Sequence, residues 1–228
     1  MADLYWRKAT LGGPSEAAIT LRPLNAQRYY LSVKRCMDCV LAAMGLLVLA
    51  PFFPMLALLI RLDSKGPVFF SQTRVGEGGR EFRCWKLRSM FIDAEERKQE
   101  LEQHNESEGG VIFKMKRDPR ITRVGRFIRK ASIDELPQLW NVFIGDMSLV
   151  GPRPALPAEV AGYTPYERGR LSVKPGITCL WQISGRSDLP FEQQVQLDIE
   201  YARVRSLRKD IEILLRTVPA VLFARGAY

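Results

Sequence analysis

The sequence predicts a membrane-associated chain of mixed helix and strand: an N-terminal re-entrant helical hairpin, a small β-hairpin and several further helices. Three observations carry this expectation. Val40 to Ile60 is an uncharged apolar run with basic residues on both sides, and about 20 apolar residues suffice to cross a hydrocarbon core roughly 30 Å thick. After Gly66 and Pro67 the pattern switches to two short stretches divided by glycines. The composition as a whole, 46% apolar and 26% charged over 228 residues, is that of a globular domain with one membrane element added.

Residues 1–28 mix Gly12, Gly13, Pro14 and Pro23 with polar side chains and read as a poorly ordered leader. The apolar run starts far from the N-terminus and has no small-residue cleavage site, so the segment should be retained rather than processed. Arg28, Lys34 and Arg35 precede the run, and Arg61, Lys65, Arg74 and Arg80 follow it. Lys and Arg near a membrane segment favour the cytoplasmic side. A run that is basic at both ends is therefore expected to enter and turn back. Pro51 supplies the turning point, since proline removes one helix hydrogen bond and clashes with the preceding turn. Ala50 and Pro51 are thus expected to mark a membrane break within a re-entrant segment at 29–65. A cytoplasmic domain, 66–228, follows.

Val68 to Val75 and Glu81 to Leu87 read as the strands of a hairpin around Gly76, Gly78 and Gly79. A helix is expected from Met90 to about Glu102, then a polar loop around 105–110. Arg117, Arg120, Arg123, Arg126, Arg129 and Lys130 make the next segment dense in positive charge. Ser132-Ile133-Asp134-Glu135 has the pattern of a capping box, opening a helix through Trp140 and Val142 that Gly145 and Asp146 end. Met147 to Val150 is a brief apolar stretch. Gly151-Pro152-Arg153-Pro154 and Lys174-Pro175-Gly176 read as rigid loops. The tail is helical, with Leu197, Tyr201 and Val204 on one face and an apolar stretch from Ile211 to Phe223 broken by Pro219.

The net charge of +9 suits anionic lipid, phosphorylated substrates or nucleic acid, and the membrane run argues against nucleic acid. Cys36, Cys39, Cys84 and Cys179 suggest packing residues rather than disulfides or zinc ligands. His104 is the single histidine and lies in a polar stretch, which excludes Ser-His-Asp and Cys-His catalysis. Carboxylates amid excess guanidinium and ammonium groups remain, and arginine's planar fork grips phosphate oxygens. Two acidic sites compete on spacing alone. Asp134 and Glu135 open a helix after the arginine-dense segment; Asp93 follows Lys86 and Arg88, with Glu96 one helical turn on. Each is also explained structurally, as a capping box and as a solvated helix start.

A set of motifs separates them. Lys34, Arg35 and Asp38, then Ser64, Gly66 and Pro67, Gln72 and Arg74, and Lys86-Leu87-Arg88-Ser89-Met90 lead into Asp118-Pro119-Arg120 and Ser132 to Asn141. Gly151 to Pro154, Lys174 to Thr178, and Trp181, Gln182, Gly185 and Arg186 complete the set. With these the chain resembles the bacterial monotopic phosphoglycosyl transferases, membrane enzymes that load a sugar phosphate onto undecaprenyl phosphate. Two positions depart from that family's pattern. Ala50 stands where a serine precedes the proline of the membrane break, and Cys179 stands where glycine is common.

The resemblance implies an α/β or α+β cytoplasmic domain capping the hairpin, at the cytoplasmic face of a bacterial inner membrane. It implies Asp134 and Glu135 as the catalytic dyad, with Asp134 attacking the β-phosphate of a UDP-sugar and Glu135 binding Mg²⁺, and it leaves Asp93 as the runner-up. Arg74, Lys86, Arg88, Arg129, Arg153, Lys174, Gln182 and Arg186 are the expected substrate-binding residues. UDP-sugar, undecaprenyl phosphate and membrane lipid are the expected partners, together with a homo-dimer and no nucleic acid. A membrane-tethered scaffold that binds anionic lipid without catalysis is the alternative, and it would not need a carboxylate pair in a basic pocket.

Overall fold

The computed structural model describes residues 24–101, 115, 118–185 and 189–222. Most of the expected leader, the polar loop at 105–110, His104, Arg117 and Arg186 lie outside the described residues. Helix α1 is Leu24–Leu49, so it starts before Tyr29 and takes in the end of the segment read as a leader. Its inner face is Tyr30, Lys34, Asp38 and Ala42, all buried and spaced one helical turn apart. That stripe is polar at its start and apolar where the membrane run begins. Each buried polar group has a partner in the domain. The Tyr30 hydroxyl donates to Asp210 at 2.9 Å and the Lys34 ammonium at 3.0 Å, while Asp38 accepts from the Leu149 amide at 3.1 Å.

Pro51 does break the helix, by one tight turn. Ala50–Phe52 is a 3₁₀ turn, and the backbone keeps right-handed helical angles from Leu49 through Phe53. Helix α2, Phe53–Asp63, continues from it. The structure thus gives one long apolar helical segment, Gln27–Asp63, interrupted at Pro51. Phe53, Leu56, Ala57 and Ile60 of α2 pack with Val68, Leu87, Val124 and Ile128. Met44, Leu47, Val48, Phe52, Met55, Leu58 and Leu62 point outward and are exposed.

Strands β1 (Phe69–Val75) and β2 (Glu81–Leu87) form the expected hairpin, in register from Phe69 opposite Leu87 to Val75 opposite Glu81. Strand period places Phe82, Cys84 and Lys86 on one face. Opposed residues share a face, so Arg74, Gln72 and Phe70 join them. The next helix is shorter than expected: α3 spans Ala94–Leu101, because Met90 is drawn into a bridge with Ile121. Helix α4, Arg123–Lys130, is capped by Thr122, whose hydroxyl accepts from the Gly125 amide at 2.9 Å. It turns Val124 and Ile128 inward.

The capping box at Ser132 does not form. Ser132 has a left-handed backbone (φ 55°) with no side-chain cap bond, and Ile133–Glu135 is a separate 3₁₀ turn. The physical reason is the role of Glu135, whose carboxylate is bonded to cations described below. Helix α5, Gln138–Ile144, follows and ends at Gly145 with φ 99°. Strand β3 (Ser148–Val150) runs parallel to β4 (Gly176–Thr178), and helix α6, Pro157–Ala161, lies in the crossover between them. Helices α7 (Leu180–Ser184), α8 (Phe191–Val204) and α9 (Leu207–Leu222) complete the chain. Tyr201 and Leu197 enter the core but Val204 is exposed, so the expected face of α8 is short by one residue. Pro219 lies within α9 rather than breaking it. Ala42, Val142, Met147, Val150, Leu180 and Ile213 form the main core, which places α1, α5, β3, α7 and α9 around one centre.

Asp210 joins the first helix to the last. Besides Tyr30 and Lys34 it accepts from the Tyr201 hydroxyl at 2.7 Å, and that hydroxyl lies 3.0 Å from the Val150 carbonyl. The Asp210 side chain is fully buried. Removing one partner of a buried ion pair costs about 3–5 kcal/mol. Asp210→Ala should therefore lower stability by that amount in a denaturant titration of the detergent-solubilised protein, with Tyr201→Phe costing about 1 kcal/mol.

Candidate active site

Asp134 and Glu135 sit on the 3₁₀ turn between α4 and α5. The Glu135 carboxylate meets cations from two other elements. Lys86 on the inner face of β2 lies 2.8 Å from Oε1, and Arg153 lies 2.8 Å from the same oxygen and 3.5 Å from Oε2. Burial pushes Glu135 up, but Arg153 and Lys86 outweigh it and hold the carboxyl well below the usual carboxylate range. Arg153 is stabilised in turn, its guanidinium held above its ordinary value by Glu135.

Asp134 is in the opposite situation. It is 7% exposed and has no hydrogen-bond or ion-pair partner among the described residues. Burial raises its pKa, Lys86 pulls it down, Glu135 raises it and Arg129 lowers it, with a net upward shift. Environment therefore separates two adjacent carboxylates. Glu135 is a locked counter-ion, and Asp134 is an unpaired carboxyl with cations nearby and none in contact. Arg129, in the last turn of α4, is half-buried and has no bonded partner in the described structure. It is the free guanidinium nearest in influence to Asp134.

The loop that carries Arg153 is held by backbone. The Gly151 amide donates to Thr178 at 3.0 Å and the Gly176 amide to Pro152 at 2.9 Å. A Cβ on Gly176 would stand 2.1 Å from the Gly151 nitrogen, and one on Gly151 would stand 2.3 Å from the Lys174 carbonyl oxygen. Only glycine allows this approach. Arg74 adds a strut, donating to the Pro154 carbonyl at 3.0 Å and to Gln72 at 2.7 Å. Its burial and the neighbouring Arg153 lower its pKa. Asn141, fully buried, grips β2 with its side chain, accepting from the Trp85 amide at 3.0 Å and donating to the Arg83 carbonyl at 2.7 Å.

The structure divides the expected site residues. Lys86, Arg129 and Arg153 gather around the dyad, and Gln182 lines a cleft with Glu135. Arg74 lies beneath the Arg153 loop as a support. Two expected phosphate ligands are bound elsewhere. Arg88 donates to the carbonyls of Lys65 (2.7 Å), Ser64 (2.5 Å) and Ile60 (3.4 Å), so its fork satisfies the orphan carbonyls at the end of α2. Lys174 is exposed and donates to the Gly145 carbonyl at 2.9 Å, at the end of α5. Both carry out C-terminal capping, which spacing in the sequence does not distinguish from phosphate binding. Arg186 lies outside the described residues. The runner-up Asp93 is half-exposed and pairs with Arg97 at 2.5 Å on the same helical face, an ordinary solvated ion pair worth little.

Sequence reading missed Ser132, Asn141 and Asp210 as positioning residues. The left-handed Ser132 turns the chain between α4 and the dyad, in a conformation costing about 1–2 kcal/mol for a residue with a Cβ. No periodicity reveals such a residue.

For Mg²⁺, the described residues contain no cluster of three or more His, Cys, Asp or Glu side chains. That donor set fits an ion carried largely by substrate phosphates and water, as Mg²⁺ commonly is. Glu135 Oε2, with only the long 3.5 Å contact, and the unpaired Asp134 carboxyl are the oxygens of the dyad with capacity left.

The two carboxylates have opposite linkage. Glu135 has a depressed folded pKa, so its contribution to stability is present above the unfolded value of ~4.3 and is lost as pH falls through the folded value. Asp134 has a raised folded pKa, so its contribution is present at low pH and is lost as pH rises through the folded value. Asp134→Asn should accordingly melt at or above the parent temperature near pH 7.5, with the difference closing toward pH 4. Glu135→Gln should melt lower, by about 3 kcal/mol of stability, because it leaves Lys86 and Arg153 without a counter-ion. Paired thermal melts across that pH range would check both.

The Bacterial sugar transferase family model matches residues 29–224. The galactosyl transferase CpsE of Streptococcus agalactiae is 49% identical over 199 residues, covering 87% of this chain and 44% of its own length. The UDP-glucose:undecaprenyl-phosphate glucose-1-phosphate transferase of Caulobacter vibrioides is 41% identical over 227 residues, covering 95% of this chain and 80% of its own. The exopolysaccharide production protein ExoY of Rhizobium meliloti is 39% identical over 198 residues, covering 86% and 88%. The chain thus spans less than half the length of CpsE and most of the length of the other two. A match over nearly all the described residues, containing the dyad and every element that holds it, means that the chain belongs to the bacterial sugar transferase family.

Proposed function

We propose that the protein transfers a sugar 1-phosphate from a UDP-sugar to undecaprenyl phosphate, releasing UMP, in the first membrane step of exopolysaccharide or other glycan assembly. The observation that carries this reading is the separation of the two carboxylates, Glu135 neutralised by Lys86 and Arg153 and Asp134 left unpaired. A lipid-binding scaffold has no use for a buried carboxylate without a partner. The names of the family relatives, which include a UDP-glucose:undecaprenyl-phosphate transferase and a galactosyl transferase, support the same substrates and make UDP-glucose and UDP-galactose the first donors to assay.

Transfer proceeds in two displacements. An oxygen of the Asp134 carboxylate attacks the β-phosphorus of the UDP-sugar, and the bond from that phosphorus to the bridging oxygen breaks to release UMP. The sugar phosphate is then held as an acyl phosphate on Asp134. A phosphate oxygen of undecaprenyl phosphate attacks the same phosphorus, the bond to Asp134 breaks, and the carboxylate is restored with undecaprenyl diphosphate sugar as product. Splitting one displacement in two in this way lowers each barrier. Arg129 and the cations on Glu135 stabilise the phosphoryl oxygens as charge shifts toward UMP. Mg²⁺, held by Glu135 and the substrate, would neutralise the diphosphate.

The membrane disposition follows from where the helix ends are tied. At one end Lys34 and Asp38 bond to the folded domain, and Arg35 donates to the Val142 and Phe143 carbonyls at 2.6 and 2.7 Å. At the other, Asp63 accepts from the Val124 amide at 2.8 Å and Arg88 holds the α2 terminus. Both ends belong to one polar domain, and this supports a re-entrant segment with both flanks on the cytoplasmic face of the inner membrane. Single cysteines at Tyr29 and Lys65, in a background without native cysteines, should both label only from the cytoplasm. Periplasmic labelling of either in intact cells would overturn re-entry.

With UDP-sugar and Mg²⁺ but no lipid, the enzyme should release at most one equivalent of UMP and retain a phosphosugar. Asp134→Asn should abolish both, by more than the ~10²- to 10⁴-fold lost with an acid–base group alone, while Asp93→Asn keeps substantial activity. Turnover of Asp134→Asn at about a tenth of the normal rate, together with UMP release only when lipid is present, would show that the lipid phosphate attacks directly.

A further inference from the structure

Beside the dyad lies a cleft of about 220 Å³ that the phosphoryl chemistry does not explain. Glu135, Gln182 and Ser132 supply polar groups to its lining. Apart from Thr178 and Thr217, the rest of the lining is apolar and includes Leu136, Leu139, Ile177, Ile183, Ala220 and Val221. A nucleotide sugar has apolar surface only on the faces of its base and sugar rings, so it gains less from such a lining than a hydrocarbon chain does. The cleft suits a molecule with a phosphate at one end and hydrocarbon directly attached to it.

The apolar walls are continuous with the membrane segment. Leu139 packs against α1 so closely that a Cβ on Gly45 would come within 3.0 Å of it. Met44, Leu47 and Val48, around that glycine, are exposed on the outer face of the same helix. Ala220 and Val221 of the lining belong to α9, whose Ile213 is buried in the core and whose Ile211, Leu215 and Val218 are exposed beside the Glu212–Arg216 ion pair.

We infer that this cleft receives the head-proximal isoprene units of the polyprenyl phosphate acceptor and sets its phosphate beside Asp134. This rests on the transfer reading above and adds the place where the acceptor binds. The volume agrees with partial occupancy, since whole-ligand pockets run to ~300–1,000 Å³, so the remainder of a long chain stays in the bilayer. Continuity of the walls with the membrane helix favours an acceptor lipid delivered from the membrane over a water-borne ligand.

Ala220 faces the cleft from α9, and a larger side chain there would fill it. Full-length Ala220→Trp in nanodiscs should release UMP from UDP-sugar without lipid at the parental rate, which also reports folding. Its KM for undecaprenyl phosphate should rise on the order of tenfold or more, the effect of excluding one or two branched hydrocarbon units. Val218→Trp, on the exposed face of the same helix, should leave both half-reactions unchanged. A benzophenone-bearing polyprenyl phosphate should crosslink to peptides containing Leu136–Leu139 and Thr217–Val221, competed by undecaprenyl phosphate and not by phosphatidylglycerol vesicles. A parental KM in Ala220→Trp, or equal competition by phosphatidylglycerol, would overturn the assignment. Failure of the parent enzyme to release UMP would instead overturn the transfer reading.

Discussion

The candidate site depends on one carboxylate held between two cations. Glu135 draws Lys86 from the hairpin and Arg153 from the Gly151–Pro154 loop to a single point, and neither cation has another ion-pair partner among the described residues. Its position fixes three elements relative to one another. The consequence for Asp134 is electrostatic. Two cations are kept beside the dyad with their charge already met by Glu135, so the neighbouring aspartate is not quenched by an ion pair. The nucleophile proposed for this site needs such an arrangement, because a carboxylate in direct contact with a guanidinium is stabilised in its ground state and attacks poorly.

A second set of polar bonds ties this site to the apolar helix. Asp210, Asp38 and Arg35 fasten α1 to the end of the core formed by α5, β3 and α9, while Asp63 and Arg88 fasten α2 to α4 and β2. The apolar residues between these anchors divide into an inner set packed on the domain and an outer set that is bare. Lys86 stands two residues before Arg88 on β2. The strand that supplies a cation to the dyad therefore leads directly into the residue that clamps the end of α2.

Much of this arrangement is legible in the sequence because it depends on period and punctuation. Alternation around Gly76–Gly79 locates the hairpin to within one residue, and Gly145 ends α5 as its freedom at positive φ requires. The adjacent Asp134–Glu135 pair is also readable, although choosing it over Asp93 takes the resemblance of the surrounding motifs. What could not be read is how a side chain is spent. Arg88 and Arg153 are alike in the sequence, each beside a loop and each in a matched motif, yet one caps a helix and the other holds Glu135. The capping box failed for a related reason: Ser132 and Glu135 have the right spacing, but stronger partners from distant β2 and the Gly151 loop take the glutamate. Tertiary electrostatics outweighs a local hydrogen bond of about 1 kcal/mol.

The Arg88 clamp also bears on where the chain tolerates change. Ser64–Val68 is a loop by its backbone, and connecting loops ordinarily accept inserted residues. Here three carbonyls on the α2 side of that connection are gripped by the side chain of Arg88, just after β2 at the open end of the hairpin, so added length would separate the apolar helical segment from the hairpin. At the other end of the same hairpin, a side chain added at Gly78 or Gly79 would meet open space. An affinity tag or fluorescent fusion belongs at that turn, and a natural lineage acquiring an insertion in this region would be expected to carry it there, leaving the short connection at a fixed length.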